Sequence, residues 1–329
     1  MKSSPHVVII GAGISGLTTA YWLRRSGIEV TVLERDTSAG GTMRTVQEDG
    51  WLIELGPNSA LETTPLFGEM FAGLGIEKER VYADPSSDKR YILRKGRLHA
   101  LPLGPGSFLR TGLWSASGKL RLLKEPFGGR AQEEESVAQF VERRLGREFL
   151  DYAINPFVAG VYAGDPGQLS VRSAFPKLYA LEEKYGGLIK GMIKGARERK
   201  QRAEKAKDRS KMFSFVRGMQ TFPEAINQWL GDCVRYRCTV TGFGRTNSGA
   251  NGASGKFSVG GKENGKPVAR VGDAVVLAVP AYAASALVRP HASGLAGMLD
   301  AVYYPPVAEV FLGYASDQIR RPLDGFGYL

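Results

Sequence analysis

Val7-Val8-Ile9-Ile10 is an unbroken apolar run that enters a glycine turn at once. That is the pattern of a short strand buried on both faces. After Gly11-Ala12-Gly13-Ile14-Ser15-Gly16 the period changes. Leu17, Ala20, Tyr21 and Leu23 stand at helical spacing, so Leu17 to Ser26 reads as a helix that Gly27 ends. Glu29 to Glu34, with Val30, Val32 and Leu33 as its apolar members, reads as a second strand and completes a βαβ unit. Two hairpins follow in the pattern: Arg44–Gln47 against Trp51–Leu55 across Glu48-Asp49-Gly50, and Tyr91–Leu93 against Arg97–Ala100 across Lys95-Gly96. Between them, residues 63–75 read as a helix.

From about residue 105 to 211 the periodicity is mostly helical. Met212 to Val279 returns to strands and turns, with an exposed Gly/Asn/Ser-rich loop expected over Asn247 to Gly255. Ala274 to Val279 reads as a buried strand ending at Pro280, and Val307 to Tyr314 as another strand. No internal repeat is visible. No run reaches the ~18 apolar residues of a membrane span. The start of the chain lacks the apolar core of a secretory signal. An intracellular protein is expected, one that touches a membrane from one side at most.

Composition narrows the class. The chain has 329 residues, 43% apolar and 23% charged, which fits two domains with a sizeable core and excludes a disordered or fibrous chain. Only Cys233 and Cys238 are cysteines, so no disulfide scaffold is expected. His6, His99 and His291 have no ligand spacing, so no metal site is expected. The net charge is +11. Much of it gathers between Gly191 and Lys211, where Lys194, Arg197, Arg199, Lys200, Arg202 and Lys205 stand without interleaved aromatics. A solvated helix is the plain reading of that segment. Contact with anionic lipid is the next, and nucleic acid is not expected.

The chemistry lies in the first sixty residues. Gly11, Gly13 and Gly16 fit G-x-G-x-x-G between a strand and a helix, where backbone N–H groups and the helix N-terminus meet a pyrophosphate. Glu34 stands at the end of the second strand, placed to accept ribose hydroxyls of an adenosine. A tight turn and a surface glutamate are the plain alternative. The second pair, Gly40-Gly41, follows Glu34-Arg35 closely. A nicotinamide domain has no need of it, whereas a flavin's pyrophosphate can run along such a backbone, so FAD is favoured over NAD.

These motifs, with Glu54-Leu55-Gly56-Pro57-Asn58-Ser59, Arg90-Tyr91, the run from Asn155 to Asp165, Leu169-Ser170, Tyr304-Pro305-Pro306-Val307 and Gly325-Phe326-Gly327, resemble the oxygen-dependent protoporphyrinogen/coproporphyrinogen oxidases among the amine-oxidase-like flavoproteins. The resemblance runs along essentially the whole chain. It implies that Gly11, Gly13, Gly16, Glu34 and Arg35 hold the ADP half of FAD, and that Gly40, Gly41, Gly56 and Pro57 line the flavin half. Related flavoproteins often place an arginine directly after the glycine pair; here Thr42 stands there, and Arg44 is assigned the phosphate-facing role. Gly160 matches a glycine whose main chain lies at the reaction site. Arg90 matches a base that pairs with a substrate propionate, as a guanidinium fork suits a carboxylate.

The implied fold is α/β: a Rossmann-like FAD-binding domain over residues 1–85 and 212–283, a smaller α+β substrate domain over 86–104 and 284–329, and a mainly helical insertion over 105–211. The implied reaction is aromatisation of a porphyrinogen, with oxygen as acceptor, in heme biosynthesis. A cytoplasmic protein, a peripheral membrane contact and a homodimer are compatible with it. A related amine oxidase or carotenoid-type desaturase is the alternative, followed by a nicotinamide dehydrogenase. A non-catalytic basic surface-binding protein represents another class. Because family members are expected to continue beyond Gly325–Tyr328, a fragment with weak FAD binding is also expected.

Overall fold

The computed structural model describes residues 4–87, 89–102, 104–201, 211–246 and 255–329. In the first part of the chain come β1 (His6–Ile10), α1 (Ile14–Arg25), β2 (Glu29–Leu33), β3 (Thr45–Glu48), β4 (Trp51–Glu54), β5 (Ala60–Leu61), α2 (Leu66–Leu74), β6 (Arg80–Tyr82), β7 (Lys89–Arg94) and β8 (Arg97–Ala100). A helical stretch follows: α3 (Pro105–Arg110), α4 (Ala116–Arg121), α5 (Val137–Arg144), α6 (Arg147–Phe149), α7 (Asn155–Tyr162), α8 (Val171–Ala174), α9 (Pro176–Tyr185) and α10 (Leu188–Gln201). The rest holds β9 (Met212–Phe215), α11 (Thr221–Leu230), β10 (Val234–Arg235), β11 (Cys238–Arg245), β12 (Phe257–Glu263), β13 (Lys266–Gly272), β14 (Ala274–Leu277), α12 (Ala281–Val288), α13 (Ser293–Asp300) and β15 (Gly325–Tyr328). The chain divides into two compact units: Met1–Ala83 with Ser210–Tyr304 and Glu309–Gly313, and Asp84–Arg209 with Pro305–Ala308 and Tyr314–Leu329.

The first unit is built in three layers. Its centre is a parallel sheet in the order β10-β2-β1-β14. Successive side chains of β1 point to opposite faces. Val7 and Ile9 join the core formed with α1, α2 and α11, while Val8 and Ile10 join a second core with β11, β12, β13 and α12. This two-sided burial is why the run is apolar at every position. The antiparallel sheet β11-β12-β13 closes that second face. A further sheet, β5-β9-β6, carries Phe213 and Phe215 onto Phe71, which also meets Phe222 edge-on at 5.1 Å. Phe71 is fully buried.

The second unit joins the sheet β15-β7-β8 to the helices α3 to α10. Its core includes Ile92, Leu113, Trp114, Phe140, Phe149 and Val158. Charges are buried with it. Arg144 is fully enclosed, its Nε 2.6 Å from Glu182 Oε2 and its Nη1 donating to the backbone oxygens of Glu125 and Gly128. The Glu125 carboxylate accepts the N–H groups of Leu188 and Ile189 at 2.7 and 3.0 Å. Burial penalises the Glu182 carboxylate, yet the hydrogen bonds and charges of Arg144 and Arg143 hold its pKa below the ordinary 4.5.

Both predicted hairpins form. Asp49-Gly50 and Lys95-Gly96 take positive φ at both turn positions, as two-residue turns that follow strand twist require. Three expectations change. The first helix starts at Ile14, so Gly16 lies inside its first turn rather than before it. The segment after Met212 is not only strands and turns: Phe222, Ile226 and Leu230, at i, i+4 and i+8, bury one face of the helix α11. Val307 to Tyr314 forms no strand among the described residues. Its side chains are largely exposed and no neighbour supplies a ladder. Ala274–Leu277 is a strand, though only half-buried. Asn247–Asn251 and the rest of the expected loop through Ser254, and residues 202–210 of the basic segment, lie outside the described residues.

Candidate functional site

The end of β1 turns through Gly11 at φ +103°, and Gly11 N–H donates to Leu33 O at 2.9 Å. A Cβ at Gly11 would fall 2.5 Å from Ala278 O, and one at Gly16 only 2.0 Å from Gly11 O. These two glycines are therefore demanded by the fold itself, one by its φ and both by close backbone packing. Gly13 differs: it caps α1 with ordinary dihedrals, and a Cβ there would meet nothing within 4 Å. The face in front of it is open. No side chain caps α1, and no acid occupies its first turn. The first-turn N–H groups are left without intrahelical acceptors and form the positive end of the helix, the setting for an anion.

Glu34 lies at this turn. Its Oε2 accepts Ala12 N–H at 2.7 Å and its Oε1 accepts Asp36 N–H at 2.9 Å, which fixes the carboxylate beside the glycines. Its backbone is framed by β10 and β11: Glu34 N–H donates to Arg235 O, and Cys238 N–H donates to Glu34 O, each at 2.8 Å. The sequence reading missed this frame, which comes from two hundred residues downstream and has no motif.

Gly40 bridges to Gly13, donating its N–H to Ala12 O at 2.9 Å. The second glycine pair is thus brought onto the first. Gly56 packs so closely that a Cβ would stand 2.0 Å from Thr42 O, and Pro57 follows it at the surface. Arg44 lies between these loops. Its Nη2 is 3.4 Å from Asp36 Oδ2, while its buried Nε has no hydrogen-bond partner. An unpartnered buried donor next to a glycine-lined backbone suits a phosphate oxygen. Arg35 stands apart, its side chain 73% exposed and 3.7 Å from Asp36. Beside α1 lies a cavity of about 280 Å³ lined by Ile14, Ser15, Thr18, Phe67, Met70 and Phe222, among others.

The remaining two predicted residues belong to the other unit. Arg90 lies on β7 opposite Gly327 of β15, its carbonyl accepting Leu101 N–H at 2.8 Å and its side chain exposed. Gly160 lies in α7, where an added Cβ would meet the Leu329 side chain at 2.4 Å. Leu329 in turn donates its N–H to Tyr91 O and accepts from Leu93 N–H. Within this unit, then, Gly160 and the strand of Arg90 meet through Leu329.

The open glycine turn, the uncapped helix end, the fixed acid and the orphan Arg44 Nε fit a dinucleotide with a second, pyrophosphate-following stretch. Comparison with known proteins agrees. Residues 14–326 match the model of the family described as flavin containing amine oxidoreductase. The chain is 36% identical to a chloroplastic protoporphyrinogen oxidase of Oryza sativa subsp. japonica, over all of this chain and 63% of that protein. It is 30% identical to a coproporphyrinogen III oxidase of Bacillus subtilis (strain 168), over 98% of this chain and 70% of the relative. A solved structure from Exiguobacterium sp. 255-15 superposes with a TM-score of 0.70 at 23% identity, covering 90% of this chain and 64% of its own. Reduced UDP-galactopyranose mutase does so at 0.60 and 18%, covering 92% and 62%. The chain spans 59–63% of the length of the first plant relatives it matches.

Proposed function

The chain belongs to the flavin containing amine oxidoreductase family, and from that premise we propose that it forms the cofactor-holding and part of the substrate-holding portion of an oxidase that converts a porphyrinogen to its porphyrin. The cofactor is FAD. When bound, it supplies the acceptor for two electrons from a methylene bridge of the substrate, and oxygen regenerates it.

The protein's part is binding and orientation. Gly11, Gly13 and the first turn of α1 hold the pyrophosphate, with Gly16 keeping the helix against the turn. Glu34 accepts ribose hydroxyls, and as an acid it disfavours a 2′-phosphate. Arg44 directs its unpartnered Nε to a phosphate oxygen. Gly40, Gly41, Gly56 and Pro57 run along the flavin half. In the other unit Arg90 pairs with a propionate, and the backbone of Gly160 in α7 is assigned to the reaction site, beside the Leu329 side chain that packs on it. Protoporphyrinogen and coproporphyrinogen both fit this reading.

A peripheral membrane contact belongs to the same proposal. Leu109, Leu120, Leu123 and Phe127 are exposed, Phe127 to 87%, in a stretch that also carries Arg110, Lys119 and Lys124. No helix of the described residues is long and apolar enough to cross a membrane.

The observation that carries the reading is the bridge of Gly40 onto Gly13 beside the fixed Glu34 carboxylate. The test is incubation of the FAD-loaded chain with each porphyrinogen, following porphyrin fluorescence and peroxide. Fluorescence growth that requires FAD and oxygen supports it. Flavin binding with turnover of an amine instead would favour the related amine oxidases.

A further inference from the structure

We propose that Glu54 and Thr45 form a clamp that sets the flavin half of the cofactor site, a reading that rests on the FAD assignment above. Thr45 and Glu54 are paired in register as the last rung of the β3–β4 hairpin. The two loops assigned to the flavin half leave the hairpin at that rung. Residues 40–44 run into Thr45, and residues 55–57 run out of Glu54, held together by Leu55 N–H donating to Arg44 O at 2.8 Å.

Both side chains of the rung grip the turn that precedes α11. Glu54 Oε1 accepts Met219 N–H at 2.8 Å, and Glu54 Oε2 accepts the Thr45 hydroxyl at 2.7 Å. Thr45 N–H donates to Gln220 Oε1 at 2.8 Å, and Gln220 N–H donates back to Thr45 Oγ1 at 3.1 Å. Both side chains of the rung and the Thr45 N–H are thereby used. The hydroxyl must donate to the acid and accept from Gln220 at once, a task that threonine and serine can perform and valine cannot. Gly218 fits beneath at φ +87°, where a Cβ would stand 2.3 Å from Thr45 Cγ2. Pro223 of α11 rests on Gly40, 3.4 Å from the position a Cβ would take. The grip therefore connects the hairpin mouth to the helix that backs the second glycine pair.

Neither residue reaches the ADP half, whose contacts run through Gly11, Gly13, Gly16 and Glu34. The clamp is a positioning device: it holds backbone that faces the flavin and touches no adenosine group. Its loss should separate the affinities for FAD and for ADP, because ADP shares the adenosine and diphosphate contacts of FAD and makes none in the flavin half.

The full chain is titrated with FAD, by quenching of flavin fluorescence, and with ADP, by calorimetry. Thr45→Val and Glu54→Ala should each weaken FAD roughly tenfold, the scale of one or two buried hydrogen bonds, while ADP stays within about twofold. The visible circular dichroism of bound flavin should change with them. Thr45→Ser should restore both affinity and spectrum. Equal losses for FAD and ADP, or FAD affinity unchanged in Thr45→Val, would overturn the clamp alone. A wild-type chain that binds ADP but not FAD would overturn the flavin assignment and the clamp with it, whereas Glu34→Ala, weakening both ligands, marks the adenosine site independently.

Discussion

The two units bury their polar groups by different rules. In the first, the parallel sheet's cores are apolar, and polar contacts concentrate at the strand ends, where Glu34 takes two backbone N–H groups. In the second, charge lies inside the helical core: Arg144 and Glu125 are both essentially inaccessible and Glu182 is nearly so. The difference teaches where function can be placed. A sheet whose strand ends collect open glycine backbone presents groups to a ligand without leaving charge in its core. A helical unit held by buried charge depends on those charges for its own integrity, and Arg90, the group proposed to meet the substrate, lies outside that cluster on β7.

The sharpest way to break this contrast is to remove the buried cation. Arg144→Ala leaves Glu125 and Glu182 without their central partner and should cost about 3–5 kcal/mol of stability, read as a fall in urea midpoint. An apolar replacement in the first unit, Ile226→Val at a fully buried position of α11, should cost only about 0.5–1.5 kcal/mol. Similar losses from the two would erase the distinction.

The contrast sharpens functionally at Arg90. Arg90→Ala should raise KM for the porphyrinogen by roughly ten- to a hundredfold, the scale of a charge-assisted hydrogen bond, and leave flavin binding alone. Lost flavin with unchanged KM would make Arg90 a support of the fold.

A smaller effect is expected from pH. The pKa of Glu182 is lowered in the folded chain, so its contribution to stability is present above the ordinary 4.5 and is lost as pH falls through the lower folded value. The urea midpoint should therefore drop on acidification below that range, and the drop should be shallower in Glu182→Gln, whose starting stability is already lower. A midpoint indifferent to pH would remove the carboxylate from the account of the helical core.

Much of the first unit was legible because its signals are local. The apolar run of β1, the glycines before α1 and the Asp49-Gly50 turn each act over a few residues. Helix α11 lies in a segment expected to hold strands and turns, although Phe222, Ile226 and Leu230 carry its period; Pro223 stands in its first turn, where a proline costs no hydrogen bond. Val307–Tyr314 has strand-forming residues, but strand formation requires a neighbour that composition cannot reveal. In the site, spacing exposed the glycines and Glu34. Thr45 and Gln220, 175 residues apart, are ordinary residue types whose meeting only the fold creates. Arg90 and Gly160 are singled out only through resemblance, since nothing in their local sequence marks a substrate.

The glycine turn and its acid are proposed to hold the adenosine half of FAD. The direct measurement is the affinity of the full chain for FAD and for NADP, in wild type and Glu34→Ala. Wild type should bind FAD and exclude NADP. Glu34→Ala should weaken FAD by roughly ten- to a hundredfold, the loss of a charged acceptor worth about 1.5–3 kcal/mol. FAD affinity that does not depend on Glu34, or preferential binding of NADP, would contradict it.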